Sequence, residues 1–183
     1  ALSNEEHPCQ ALADCLTLKE RWGKTIGKTV AFVGDGNNVA TSFAQAAVML
    51  GINVRVASPE GFELPENVDK DVASAAQNGA ELTRFRDPVS AVTDVDAIYT
   101  DVWTSMGREA EVAVRRRLFA PYQVNDKLMS HAKPNAFFLH CLPAHRGEEV
   151  TDSVMDSDSS VVFDQAENRL HTQKALLVML FED

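Results

Sequence analysis

The sequence predicts an α/β fold, a three-layer Rossmann-like domain with a mainly parallel sheet and helices on both faces. Segments with the composition of buried strands alternate with segments of helical apolar spacing, and this alternation is typical of βαβ units. The first strand also leads into a glycine turn, at Gly34 and Gly36, and then into a helix. At 183 residues, with 45% hydrophobic and 24% charged residues, the chain has the profile of one globular domain.

Apolar runs bounded by turn residues predict five main strands and a short sixth one. The strands are expected at residues 28–33, 52–57, 81–85, 97–102, 136–140 and 161–163. Apolar residues at helical spacing predict the helices between and around them. The helices are expected at residues 7–22, 39–50, 68–78, 107–118, 125–131, 151–155 and 165–181, with a short one after Pro88.

The charge balance argues against two classes of partner. The chain carries 27 acidic and 17 basic residues, a net charge of −10, so we expect no binding to nucleic acid or to an anionic membrane. The basic run Arg115-Arg116-Arg117 would spread around a helix rather than line one face. We therefore interpret this run as solvated surface or as a partner contact.

The cysteines indicate a reducing compartment. The chain has an odd number of cysteines, Cys9, Cys15 and Cys141, and no C-x-x-C pair. This argues against a disulfide framework or a zinc site. No apolar run reaches transmembrane length and the first residues lack the pattern of a signal peptide, so we expect a cytoplasmic protein. The chain starts without Met and stops directly after an apolar helix, and we expect it to be a fragment of a longer protein.

Polar clusters follow three of the predicted strands, at residues 35–38, 101–106 and 140–146. In a right-handed parallel sheet these strand ends share one edge, so the clusters can converge on one crevice. The last cluster brings together a thiol, two imidazoles and a guanidinium, which offers a nucleophile or base beside an anion partner. We predict a small-molecule site at this edge.

A nicotinamide-dependent oxidoreductase is one candidate function, because a strand, a glycine turn and a helix open the fold. The G-x-G-x-x-G pattern fails, since Val39 stands where the third glycine belongs. Ser58 follows the second strand, where a ribose-binding acid would be expected. Both departures count against this function.

Four motifs together resemble the ornithine carbamoyltransferases. They are D-x-W-x-S-M-G at residues 101–107, H-C-L-P at 140–143, H-P-C-Q at 7–10 and G-D-G-N-N at 34–38. The resemblance covers essentially the whole chain, in the order of that family, and the first two motifs are specific among transcarbamoylases. The amino-terminal carbamoyl-phosphate domain of the family, with its S-x-R-T-R phosphate loop, has no counterpart in this sequence.

The resemblance implies an ornithine site. Cys141 would lie beside the δ-amine of L-ornithine as its proton acceptor, with a thiolate aided by neighbouring cations. Asp101 would pair with an ammonium group of ornithine and orient Cys141. Asn38 and the Ser105-Met106 segment would hold the α-carboxylate and the α-amine.

The resemblance also implies a carbamoyl-phosphate site. His7 and Gln10 would contact the carbamoyl group from a helix that joins two domains, and Arg169 would bind the carbamoyl oxygen. Backbone groups of Cys141 and Leu142 would line the same pocket. Without the resemblance, the expected role of Arg169 is a surface salt bridge with an acid on its own helix, Asp164 or Glu167.

The family implies a division of the chain and a set of partners. Residues 1–22 would form the interdomain helix, residues 23–163 the ornithine-binding domain, and residues 164–183 a closing helix that returns towards the amino-terminal domain. We expect a homotrimer, no cofactor, no metal, and a fragment that is inactive alone. The alternative is a free-standing ornithine-binding module without catalysis, for which the H-P-C-Q helix would have no use.

Overall fold

The structure is a computed structural model that describes residues 2–104 and 111–182. Within those residues the strands are β1 Thr29–Val33, β2 Asn53–Ala57, β3 Leu82–Phe85, β4 Ala97–Thr100 and β5 Phe137–His140. These strands form one sheet with the order β3-β2-β1-β4-β5, and each neighbouring pair of them is parallel. The predicted parallel α/β sheet is confirmed.

Helices separate and flank these strands. They are α1 Pro8–Trp22, α2 Asn38–Met49, α3 Asn67–Ala75, α4 Pro88–Val92, α5 Val112–Phe119, α6 Asp126–Met129, α7 Asp152–Met155 and α8 Val162–Phe181. Local chemistry explains several of the ends: Pro8 occupies the first turn of α1, and the side chains of Asp87 and Asn125 cap α4 and α6. The third helix ends at Ala75 rather than at Asn78, where the backbone is left-handed with a φ of 54°. Of the helix predicted at 107–118, residues 107–110 lie outside the described part.

Alternate residues of the strands enter two apolar cores, one on each face of the sheet. In β1, Val30 and Phe32 pack towards the side that holds α2 and α3, whereas Ala31 and Val33 pack towards the side that holds α4 and α7. All four side chains are fully buried. The sheet is therefore covered on both faces, as the predicted three-layer fold requires.

The first and last helices pack against each other through polar side chains. The Asn168 amide on α8 donates to Thr17 Oγ1 at 2.9 Å and to Glu20 Oε2 at 2.8 Å, both on α1. Arg21 and Asp164 form an ion pair between the same two helices.

None of the described helices has the length and apolar composition that a bilayer-spanning segment requires.

The prediction of a sixth strand at residues 161–163 is wrong. A single parallel bridge joins Ser160 to Phe138 at the edge of β5, and the Val161 amide donates to the Phe138 carbonyl at 3.0 Å. The chain then enters α8 at Val162. Phe163 is 70% exposed while Val161 and Val162 are buried, so the apolar run has the spacing of a helix entry and not of a strand.

The interpretation of the arginine run as solvated surface is wrong for its first member. Arg115 is buried, and its guanidinium donates to Asp35 Oδ2 at 2.6 Å and to the Trp103 carbonyl at 2.8 Å. The same group lies over the Phe62 ring, 4.6 Å from its centroid. Asp35 and Phe62 come from distant parts of the chain, so no local pattern could place this side chain.

Replacing Arg115 by alanine should lower the free energy of unfolding by about 3 kcal/mol, because buried hydrogen bonds and the packing of a large side chain are lost together. Arg117, an exposed member of the same run, is the matched control. Its replacement by alanine should change stability by less than about 0.5 kcal/mol. Urea unfolding of both variants measures the difference, and equal values would contradict a structural role for Arg115.

Candidate active site

The three predicted polar clusters meet at one edge of the sheet, because β4 lies between β1 and β5. Asp101 follows β4 and is buried. Its Oδ2 accepts a hydrogen bond from Asn37 Nδ2 at 2.7 Å, and its Oδ1 accepts one from Cys141 Sγ at 3.0 Å. The predicted convergence of the strand ends is present, and Asp101 is the residue that connects them.

The turn after β1 is held by a close backbone approach. The Gly36 amide donates to the Phe62 carbonyl at 2.8 Å, and a Cβ at Gly36 would lie 2.2 Å from the Leu64 amide nitrogen. A side chain cannot fit there without moving the facing loop. Asn37 then caps α2, since its Oδ1 accepts from the amides of Val39 and Ala40. These two helix-start amides are therefore bonded internally.

Asn38 lies at the wall of a cavity of about 830 Å³. Its amide nitrogen donates to the Ser3 carbonyl at 2.7 Å, and the His7 amide donates to Ser42 Oγ at 2.8 Å, so the segment before α1 crosses the start of α2. Asp35 lines the same cavity. Ser105 and Met106, the other predicted ornithine-binding residues, lie outside the described residues.

Cys141 is held as a thiol. Desolvation by the surrounding protein raises its pKa well above the ordinary value, and the negative charge of Asp101 and the hydrogen bond to it act in the same direction. Among the described residues the sulfur is hydrogen-bonded to a carboxylate, so they oppose the thiolate that neighbouring cations were expected to favour. In this state the thiol donates and Asp101 accepts.

The loop after β5 is fixed by a buried imidazole. His140 Nδ1 accepts from the Leu142 amide at 2.9 Å, which places the ring proton of the neutral imidazole on Nε2, facing Glu149 Oε1 at 3.1 Å. Leu142 adopts a positive φ of 53°. Its N–H is already used, so only the Leu142 carbonyl can serve a ligand. Glu149 was not among the predicted site residues, because no local pattern indicates its burial.

Arg169 and Gln10 are in contact, although 159 positions separate them: Arg169 Nη1 donates to Gln10 Oε1 at 2.6 Å. The salt bridges considered for Arg169 are not formed: Asp164 pairs with Arg21 on α1, and Glu167 lies beside His171. His7 is nearby. Burial is the main cause that lowers the pKa of its imidazole, and the positive charge of Arg169 lowers this pKa further. The buried atoms His7 Nδ1 and Arg169 Nε have no hydrogen-bond partner within the part of the chain that the structure describes.

One group of described residues has the chemistry of a metal site. The ligand atoms of Asp101, His140 and Cys141 lie within 4.8 Å of one another. The hydrogen bond between Cys141 and Asp101, and the one from Leu142 to His140, already engage these atoms. The side chains of Asp101, Cys141 and His140 therefore already form hydrogen bonds within the protein.

Comparison with known proteins agrees with this geometry. Residues 26–180 match the family model described as aspartate/ornithine carbamoyltransferase, Asp/Orn binding domain. The ornithine carbamoyltransferase of Thermococcus kodakarensis is 57% identical over 180 residues, and that of Bacillus subtilis 55% over 177 residues. These alignments cover 98% and 96% of this chain but 57% and 56% of the relatives. The chain therefore spans little more than half the length of the curated relatives it matches.

Solved structures show the same relation. The ornithine carbamoyltransferase from Pyrococcus furiosus superposes with a TM-score of 0.92 at 58% identity, covering 97% of this chain and 57% of that one. The ornithine transcarbamoylase from Giardia lamblia superposes with a TM-score of 0.90 at 31% identity, covering 100% and 62%. The parallel sheet, the strand-end cluster around Asp101 and the match over residues 26–180 lead to one conclusion. This chain belongs to the aspartate/ornithine carbamoyltransferase family and carries its Asp/Orn-binding domain.

Proposed function

We propose that this chain is the ornithine-binding part of an ornithine carbamoyltransferase, which transfers the carbamoyl group of carbamoyl phosphate to the δ-amine of L-ornithine and releases L-citrulline and phosphate. The observation that carries the proposal is the contact of Asp101 with Cys141 and Asn37 at the carboxyl edge of the sheet. The names of the similar proteins from Thermococcus kodakarensis and Bacillus subtilis favour ornithine over aspartate as the amine.

Asp101 and Cys141 act on the amine as a pair. A Lys-like ammonium of pKa ~10.4 must lose a proton before it can attack, which costs roughly 5 kcal/mol near pH 7. The pair carries one negative charge on Asp101, to which the Cys141 thiol donates a hydrogen bond, so it attracts the ammonium and the carboxylate can accept the amine proton. Asn38 holds the amino-acid end of ornithine, together with Ser105 and Met106.

The carbamoyl group binds between α1 and α8. His7 and Arg169 supply buried polar atoms that no described residue satisfies, and Gln10 fixes Arg169. The low pKa of His7 keeps its imidazole neutral, so it serves as a hydrogen-bond partner rather than as a cation. The carbonyl groups of Cys141 and Leu142 complete this pocket.

Phosphate binding falls to a companion domain. Carbamoyl phosphate is a dianion, and its tight binding normally uses several arginines or backbone donors. Residues 1–22 would link the two domains, residues 23–163 would form the ornithine domain, and residues 164–183 would return to the companion. The intact protein would be a homotrimer in the cytoplasm, where the cysteines, which form no disulfide among the described residues, stay reduced.

The second candidate is an ornithine-binding module without catalysis. The contact of Arg169 with Gln10 counts against it, since a sensor of ornithine has no need for a second polar pocket formed by α1 and α8.

We expect the natural protein that carries residues 1–183 to form citrulline and phosphate from L-ornithine and carbamoyl phosphate, with L-aspartate as the control amine. The 183-residue chain by itself should bind ornithine and transfer nothing, because loss of even one good donor to a transition-state anion costs ~2.7–4 kcal/mol. Colorimetric citrulline assays and calorimetric titration measure the two activities. Ornithine binding without transfer by the natural protein would favour the sensor instead.

Replacing Cys141 by alanine in the natural protein should lower turnover by about 10²-fold or more, because it breaks the thiol–carboxylate pair that is proposed to take the proton of the amine. Cys15, a buried cysteine of α1, is the matched control, and its replacement by alanine should leave turnover within about threefold of wild type. Unchanged turnover in the Cys141 variant would assign this thiol a packing role.

A further inference from the structure

A buried carboxylate lies behind the candidate site and is not explained by the roles given so far. Asp14 on α1 has no exposed surface, and its oxygens accept hydrogen bonds from Gln10 Nε2 at 2.9 Å, Gln165 Nε2 at 2.7 Å and Tyr99 Oη at 3.0 Å. All three donors are neutral. Burial of a carboxylate without a directly bonded cation costs folding free energy, so this residue calls for a functional explanation.

The hydrogen bonds of Asp14 determine which way two amides point. Because Gln10 and Gln165 both turn their N–H groups towards the carboxylate, both amide oxygens face away from it. Gln10 Oε1 then accepts from Arg169 Nη1 at 2.6 Å. Gln165 Oε1 accepts from the backbone amide of His140, the residue before the catalytic thiol, at 3.0 Å.

We propose that Asp14 is a positioning residue for carbamoyl transfer: by orienting the amides of Gln10 and Gln165, its carboxylate sets the Arg169 guanidinium and the backbone at His140 in the arrangement that receives the carbamoyl group. This inference rests on the proposed function. Asp14 touches no substrate and acts through Gln10 and Gln165, which come from α1 and α8.

The ionised form of Asp14 is the competent one. A proton on either oxygen would face an N–H or O–H donor, so at least one of the three hydrogen bonds would be lost. Burial raises the pKa of Asp14 to about 7, against the three hydrogen bonds and the Arg169 charge, which lower it. The titratable groups facing Asp14 from other described elements are Tyr99 on β4, Cys141 after β5 and Arg169 on α8. Cys15 adjoins it on α1.

The test compares Asp14→Asn with wild type in the natural protein. Asparagine keeps the shape of the side chain but has no charge, so its Oδ1 holds the N–H groups of Gln10 and Gln165 less strongly, and its NH2 group replaces the acceptor of the Tyr99 hydroxyl. We expect kcat/KM for carbamoyl phosphate to fall roughly tenfold to a hundredfold, the size of one hydrogen bond to a charged group. The acid limb of the pH profile near pH 7 should disappear. Asp158→Asn, which removes an exposed carboxylate, is the matched control and should change neither quantity.

Thermal unfolding separates positioning from a merely structural role. The folded-state pKa of Asp14 lies above the unfolded value, so its contribution to stability falls as pH rises from about 4 to about 7. The Asp14→Asn variant should therefore have a higher Tm than wild type at pH 8 and a similar Tm at pH 4. A structural role predicts a lower Tm at pH 8 and an unchanged pH profile.

Tyr99→Phe provides a second variant that does not depend on the folding of the first. Removing the phenol hydroxyl deletes a donor that lowers the pKa of Asp14, so the acid limb should move to higher pH. If the wild-type protein transfers the carbamoyl group and both variants keep its kinetics and its pH profile, the inference about Asp14 is wrong and the proposed function is unaffected. Absence of transfer by the wild-type protein would overturn the proposed function and the inference with it.

Discussion

The hydrogen bonds of the Asp101 carboxylate are the interaction on which the candidate site depends. One oxygen accepts from Asn37 in the turn after β1, and the other accepts from Cys141 in the loop after β5. The strand order places β4 between these two strands, so the residue that follows β4 can reach both sides. A parallel sheet thereby turns three separate loops into one arrangement of polar groups.

This arrangement places two carboxylates, Asp101 and Asp14, in the protein interior, where negative charge costs folding free energy. The charge of Asp101 helps to keep the Cys141 thiol protonated, and Asp14 adds to the same effect from the side of α1. Buried carboxylates oppose folding, but they orient N–H donors and attract cationic ligands strongly where water is excluded. We therefore interpret the buried acids as functional groups whose cost to stability the two apolar cores offset.

Packing beneath the site is equally specific. Gly36 allows the turn after β1 to lie against the backbone of Leu64, and Arg115 ties that turn to α5 through Asp35. The loop after β5 is held from behind by the buried pair of His140 and Glu149. The turns after β1 and β5 are thus supported by side chains from outside the turn itself, which explains how loops can hold a site geometry.

Much of this protein could be predicted from its sequence, because the deciding signals are local. The alternation of strand and helix patterns, the caps at Asp87 and Asn125, and the polar residues at the strand ends need only neighbouring positions. The failure at residues 161–163 was also local, since three apolar residues fit a strand or the entry of a helix equally well.

Only the tertiary structure decided what these side chains do. The protonation of Cys141 depends on desolvation and on the charge of Asp101, 40 positions away. The contact of Arg169 with Gln10 joins opposite ends of the chain, and the burial of Arg115 requires Asp35 to come within hydrogen-bond distance. The sequence by itself determined the sheet and the residues at its edge; distances between remote segments and the exclusion of water, which no local pattern encodes, determined their charges and partners.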